Sequence, residues 1–267
     1  MRVLDESVRQ GRTHRMNLLT DHTKLLNQDS KPERRLEAPP RSSDLVNGAA
    51  AVFNRLGGLM AGLAEQHAVD IPCQLAIWVA QSGGRVSIRS SRSMIRFEVQ
   101  RFFNLWGRQN RQDFDGHFKF GGHSLQPGQP WENQEYRGEE GSFAGVHHNQ
   151  NSEYSALTIA RMLCGDDLAL ASSSLGGPLL PVADHLSMGF DRPSAMFEAF
   201  REGEGIQLSA LLNHLISHSA PKVGDLLRYL RKKDWDSFAN YFTGADQIPM
   251  DVARLQAAYS AAVGLLM

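Results

Sequence analysis

Residues 72–84 read Pro72-Cys73-Gln74-Leu75-Ala76-Ile77-Trp78-Val79-Ala80-Gln81-Ser82-Gly83-Gly84, and this stretch decides the fold. Proline suits the first turn of a helix, where its missing N–H costs no intrahelical bond. Leu75, Ile77, Trp78 and Val79 then make a densely apolar segment, and Ser82-Gly83-Gly84 is a helix stop. Beyond the stop, Val86, Ile88, Ile95 and Phe97 alternate with polar residues, which predicts a short two-stranded hairpin. Glu98 follows and leads into a helix through Phe102, Phe103 and Trp106. Upstream, Val52, Phe53, Leu56, Leu59, Met60 and Leu63 recur at the spacing of one helical face, in a helix beginning at Asp44. Gly57-Gly58 inside that helix implies a close packing contact or a short bend.

Further out the pattern loosens. Residues 113–145 are rich in Gly, Pro, His and aromatics with no sustained period, which predicts a long loop region. Phe114, Phe118, Phe120, Trp131 and Tyr136, mixed with Asn133, Gln134 and Arg137, suit either a saccharide groove or a plug that fastens the loops to the core. Helical periodicity returns over 151–164, 193–202, 206–218, 223–231, 234–242 and 250–263. At the other end, residues 30–43 turn to Lys, Arg, Glu, Pro and Ser, which is linker chemistry. The expected organisation is an N-terminal arm over 1–43 and one domain over 44–267. That domain is α+β, mostly α-helical, with a small β-hairpin and no internal repeat.

Composition excludes several classes of function. The 267 residues carry a net charge of −1, so nothing global points to nucleic acid or an anionic membrane surface. The arm is modestly basic, with nine Lys/Arg against six Asp/Glu over residues 1–42. No apolar stretch reaches the ~18–20 residues of a membrane span, and Arg2, Asp5, Glu6 and Arg9 leave no apolar signal segment. Synthesis in the cytoplasm is therefore expected, with delivery by a particle or by lysis. Cys73 and Cys164 sit in apolar surroundings and read as free thiols. His214 and His218 share a helical face, but no H-E-x-x-H motif accompanies them. His117, His123, His147 and His148 also lack metal-site spacing, so neither metal nor cofactor is expected. Ser172-Ser173-Ser174 is no nucleophile elbow, and Gly83-Gly84 and Gly176-Gly177 lack the lysine and spacing of a phosphate loop.

A helix ending in a polar residue and Gly-Gly, then a hairpin, then an acid, is the layout of lysozyme-like glycosidases. That chemistry needs a carboxylic acid with a raised pKa and a second carboxylate or positioned water. From Val52 to Tyr259 the sequence resembles the N-acetylmuramidase family of phage endolysins and of hydrolase-like proteins encoded with contractile injection systems. Phe53-Asn54-Arg55-Leu56-Gly57-Gly58-Leu59 resembles its N-R-x-G-G-L helix, and Ala80-Gln81-Ser82-Gly83-Gly84 its V-E-S-G-G. Ile95-Arg96-Phe97-Glu98, with Phe102-Phe103 and Trp106-Gly107, resembles I-R-F-E-x-H-x-F and its W-G. Gln129-Pro130-Trp131, His148-Asn149-Gln150, Ser174-Leu175-Gly176-Gly177-Pro178, Gly189-Phe190 and Asp234-Trp235 with Phe238-Ala239 continue the match in order.

The resemblance implies a general-acid position at Gln81, where the family has Glu, and a retained second acid at Glu98, which could equally be a buried structural carboxylate. It implies substrate contacts at Gln81, Ser82, Gly83, Trp131, Asn149, Gln150, Ser174, Leu179 and Thr243. Leu179 stands where the family has the Gln of Q-I-M-G-F-N, and Thr243 where it has the Asn of Y-N-G. An amide at Gln81 has no proton to donate. The implied function is a catalytically impaired domain that binds peptidoglycan glycan strands, or serves as a structural part of a phage-tail-like or contractile injection particle, docked through residues 1–43. The alternatives are a working muramidase using Glu98 with Glu132 or Asp184, and a purely scaffolding subunit.

Overall fold

The computed structural model describes residues 31–85, 87–88, 92–121, 133–139, 141–218, 225–242 and 251–267. Helix α1 (Asp44–His67) starts where the Ser43 hydroxyl accepts the Val46 N–H and ends at Ala68 in the left-handed region. Helix α2 (Ile71–Ser82) starts in the same way, with the Asp70 carboxylate accepting the Cys73 N–H. Every residue from Cys73 to Ala80 is buried. A helix that is apolar on all sides must be enclosed on all sides. Helix α1 flanks α2 on one side, and the C-terminal helix Val252–Leu266 on another.

Helix α1 continues unbroken across its glycine pair. A Cβ at Gly57 would lie 2.9 Å from Phe53 and from Pro32, so the glycine admits the approaching N-terminal segment. Leu36 in that segment pairs both its N–H and its carbonyl with the Asn54 amide, at 2.7 and 2.8 Å. Residues 31–43 thus lie against α1, and residues 1–30 fall outside the described set.

The β elements are short and scattered over three sheets. Strands β1 (Ser87–Ile88) and β2 (Arg92–Ser93) form an antiparallel pair. Strand β3 (Ile95–Phe97) departs from the expected hairpin. It pairs with β7 (Ser173–Leu175), which pairs with β8 (Leu180–Pro181). Alternation marks Ile95 and Phe97 as facing a core, but carries no information about which strand lies beside them. Side chains of the helix Gln150–Cys164 close the free edge of β3: the Gln150 amide donates to the Ile95 carbonyl and accepts its N–H, at 2.8 and 2.9 Å, and Glu153 accepts the Phe97 N–H.

The region expected to be loop holds α4 (Arg111–His117) and a meander of β4 (Phe118–Lys119), β5 (Glu135–Tyr136) and β6 (Ala144–Gly145). Two-residue strands are too short to show a period. Before α4, helix α3 (Val99–Phe102) runs into a π turn over Phe103–Gly107. Phe97, Phe102, Phe103, Phe114, Phe118 and Phe120 form one cluster, with ring centroids 5.1–6.2 Å apart. Phe114 and Phe118 therefore belong to the plug, not to a groove. Trp131 falls outside the described residues.

Helices α5 (Gln150–Cys164), α6 (Asp166–Ala171), α7 (Pro193–Glu202), α8 (Glu204–Ser217), α9 (Leu226–Lys232), α10 (Trp235–Phe242) and α11 (Val252–Leu266) complete the chain. Only α6 was not expected. Its six residues are fewer than two turns, and Gly165 alone, at φ +84°, separates them from α5. Cys73 and Cys164 are free, and burial pushes their thiols up to about 12 and about 11. Among the described residues no helix is long and apolar enough to cross a membrane.

Candidate functional site

The turn Gln81–Gly84 is held from four directions. Inside, the Ser82 hydroxyl donates to the Trp78 carbonyl at 3.0 Å, and Gly83 N–H to the Val79 carbonyl at 2.8 Å. Gly83 and Gly84 have φ of +64° and +78°, and a Cβ at Gly84 would fall 2.6 Å from Gly48 Cα in α1. Helix and turn backbones therefore touch, and only glycine fits on either side. Arg55 donates to the Gly84 carbonyl at 3.1 Å while its Nε pairs with Glu204 at 2.8 Å. From α11, Arg254 donates to the Ala80 carbonyl at 2.7 Å. The frame leaves Gln81 and Gly83 half-buried at the helix end, whereas Ser82 is buried.

The turn between β7 and β8 stacks on the same helix. Gly177 lies directly on the Trp78 indole, where any Cβ would collide with the ring. Its N–H donates to Gln207 Oε1 at 2.9 Å. Trp78 is one helical turn before Gln81, so this turn packs on the same helix that displays Gln81. Leu179 has φ +47°, a left-handed conformation unfavourable to a residue with a Cβ. Leu180 and Val182 on its far side are core residues.

Glu98 sits elsewhere in character. It is 1% exposed, and three side-chain donors converge on it: Arg96 Nε at 2.6 Å on one oxygen, Gln134 Nε2 at 2.9 Å and Gln100 Nε2 at 3.1 Å on the other. Burial alone would raise its pKa. The Arg96 charge and the Gln134 hydrogen bond, with His147 nearby, outweigh burial and hold the carboxyl below the ordinary glutamate value. A second buried acid, Glu153, accepts Phe97 N–H at 2.7 Å and shares a 2.8 Å hydrogen bond with His147 Nδ1. There burial wins over His147 and the backbone donor, and the pKa is raised. Gln134 ties the cluster to the next helix by accepting Val99 N–H at 2.6 Å. Gln100, one of the three donors, stands where the I-R-F-E-x-H pattern has its His.

Asn149 and Gln150 are occupied by structure. Asn149 caps α5, accepting Ser152 N–H at 3.0 Å, and Gln150 closes the β3 edge as described. Ser174 is buried opposite Arg96 in the β3–β7 register, so both point to one face of the sheet. Trp131, Glu132 and Thr243 lie outside the described residues. Sequence reasoning missed Glu153 and the roles of Arg96, Gln134 and His147. Glu153 did leave a signal: it falls on the apolar face of α5 with Ala156, Leu157 and Ala160.

A groove of about 820 Å³ opens beside α5. Its lining includes Tyr136, Tyr154, Phe197, Arg92, Arg161 and Arg201. Arg92 lies over the Tyr154 ring at 5.1 Å and Arg161 over Phe197 at 4.8 Å. Neither Gln81 nor Glu98 lines this groove.

A family model described as N-acetylmuramidase matches residues 70–262. Among solved structures, the crystal structure of the Burkholderia AP3 phage endolysin is similar, with a TM-score of 0.49 and 19% identity, covering 85% of this chain and 74% of that one. No curated protein matches the chain.

Proposed function

The chain belongs to the N-acetylmuramidase family, whose model spans well over half of it, and we propose that it is a peptidoglycan-recognising member with an impaired hydrolytic step. The observation that carries this reading is Gln81, an amide at the end of the helix whose frame is otherwise complete. Glycoside hydrolysis needs a proton delivered to the leaving oxygen. Gln81 has none to give, and removing a general acid costs about 10²–10⁴ in rate. Glu98 does not replace it as the acid. Its carboxyl is held below the ordinary range, so it is ionised at neutral pH, and it is enclosed by three donors.

Recognition is assigned to the groove beside α5. Tyr136 offers a ring to sugars, and Arg92 and Arg161, stacked on Tyr154 and Phe197, together with Arg201 offer donors to the carboxylates that peptidoglycan carries. A place in a phage-tail-like or contractile injection particle is part of the same proposal, with residues 1–43 as the attachment segment and the particle as the route out of the cytoplasm. Because residues 31–43 lie against α1, the test deletes residues 1–30 only. Loss of particle incorporation with an unchanged melting temperature is the expected result, and assembly of the truncated chain would remove the attachment idea.

Two measurements decide the rest. Purified protein should bind sacculi in a sedimentation assay without clearing their turbidity, and Arg201→Glu with Tyr136→Ala should weaken the binding. Clearing by the wild type that Glu98→Gln abolishes would establish an active muramidase. Absence from the sacculus pellet would leave only a scaffold.

A further inference from the structure

His214 and His218 read in the sequence as a plain helical pair, but folding adds a third group to them. Asp184 belongs to the 3₁₀ turn after β8 (Val182–Asp184), and one ligand atom from each of Asp184, His214 and His218 falls within 4.8 Å of the others. We propose that these three side chains bind a divalent transition-metal ion of the zinc class.

Hydrogen bonding has already sorted the nitrogens. His218 Nδ1 lies 2.9 Å from the His214 carbonyl, which can only accept, so that nitrogen carries the proton and Nε2 is left with its lone pair. His218 Nε2 faces Asp184 Oδ2 at 3.9 Å. His214 Nε2 lies 3.4 Å from the Phe242 carbonyl at the end of α10, which places the proton there and leaves the lone pair on Nδ1. His214 Nδ1 is buried and has no partner among the described residues. Each imidazole thus donates one N–H to a backbone carbonyl and keeps the other nitrogen basic, which is the outer-sphere arrangement of histidines that bind metals. An imidazole–carboxylate ion pair would account for His218 and Asp184. It would leave the buried lone pair of His214 unsatisfied, whereas a cation satisfies it.

The helix terminus favours a cation. His214 and His218 stand at the C-terminal end of α8, where the helix dipole is negative. The His rings are 4.2 Å apart. Bonds of ~2.0–2.1 Å would bring the ligand atoms to roughly 3.3 Å from one another, so the cluster must contract. The buried His214 is the fixed member. Asp184 and His218 are only partly buried and rotate inward. Two imidazoles and one carboxylate suit zinc, cobalt or a neighbouring ion better than calcium or magnesium, which prefer all-oxygen shells.

The test uses the full chain stripped with EDTA. Titration with zinc should saturate at one ion per chain and raise the melting temperature. Cobalt(II) should give a visible ligand-field spectrum without a thiolate charge-transfer band, which excludes Cys73 and Cys164 as the ligands. Asp184→Ala and His218→Gln replace partly exposed side chains and should melt normally without metal. Each should weaken binding beyond the ~10–100-fold that an outer-sphere partner contributes. No zinc uptake by folded wild type would overturn the site, and so would equal uptake in both variants, which means an adventitious ion only.

Discussion

The turn at Gln81 and the cluster at Glu98 are built on opposite plans. At Gln81–Gly84 the backbone is over-determined by Gly48, Arg55 and Arg254, while the side chain displayed at Gln81 is an amide. At Glu98 the carboxylate is present, but its oxygens are consumed by Arg96, Gln100 and Gln134. On the function proposed above, one region keeps the frame of an acid position without the acid; the other keeps an acid that serves as a structural anion. The difference teaches that frame and proton chemistry are separable. A helix end is positioned by glycine contacts and carbonyl hydrogen bonds, none of which depends on the side chain displayed there.

The largest break in this comparison comes from removing the anion. Glu98→Ala leaves Arg96 and two amides without their shared acceptor in a buried site. Removing one partner of a buried pair costs about 3–5 kcal/mol, and urea unfolding should record a loss of that size. A loss below about 1 kcal/mol would mean that Glu98 is not the anchor and is free for another role.

Next in size is the frame itself. Gly84→Ala puts a Cβ 2.6–2.9 Å from the backbone of Gly48 at φ +78°. Overpacking of this kind costs about 1–3 kcal/mol, and the left-handed conformation adds about 1 kcal/mol. The unfolding midpoint should fall accordingly, whereas Gly116→Ala, where a Cβ meets nothing within 4 Å, should avoid this packing loss.

The two buried acids also give the comparison a pH signature. Glu98 has a folded-state pKa below its unfolded value near 4.5. Its contribution is therefore present above pH 4.5 and is lost as pH falls through the folded value. Glu153 is shifted upward, so its contribution is present below 4.5 and is lost as pH rises through its folded value. Glu98→Gln should flatten the acid limb of the stability curve. Glu153→Gln should instead remove a decline above pH 4.5. Identical limbs in wild type and Glu98→Gln would show that Glu98 is not held ionised.

Helices α1, α2 and α7 were legible because a 3.6-residue apolar period or a solid apolar run survives any tertiary context. The partner of β3 was not legible, since alternation fixes a strand's face and leaves its neighbour open. Glu98 shows the same limit at the site. A carboxylate after a strand reads alike as acid or as anchor until the donors around it are seen, and Gln134 comes from a region with no readable period. Glu153 was legible in principle, as an acid on the apolar face of α5. The third group beside His214 and His218 was not, because Asp184 precedes α7 and only folding brings it to the end of α8.

The smallest expected effect is the sharpest on the frame. Gln81 is half-buried, and Gln81→Glu preserves side-chain length and places the new carboxyl at a helix C-terminus. The dipole there opposes negative charge by about 0.3–1 kcal/mol, and removal of such small penalties by solvent keeps surface changes near ±0.5 kcal/mol. Stability at pH 7 should therefore change by no more than about 0.5 kcal/mol. Turbidity assays should stay negative, because Leu179, standing where the family pattern has a Gln, supplies no polar group to hold substrate or water. Clearing by Gln81→Glu would show that a single amide was the whole defect and that the frame is still an active one. Negative turbidity with unchanged stability would locate the defect in the second turn, where Leu179→Gln, added to Gln81→Glu, becomes the variant that separates a lost acid from a lost site.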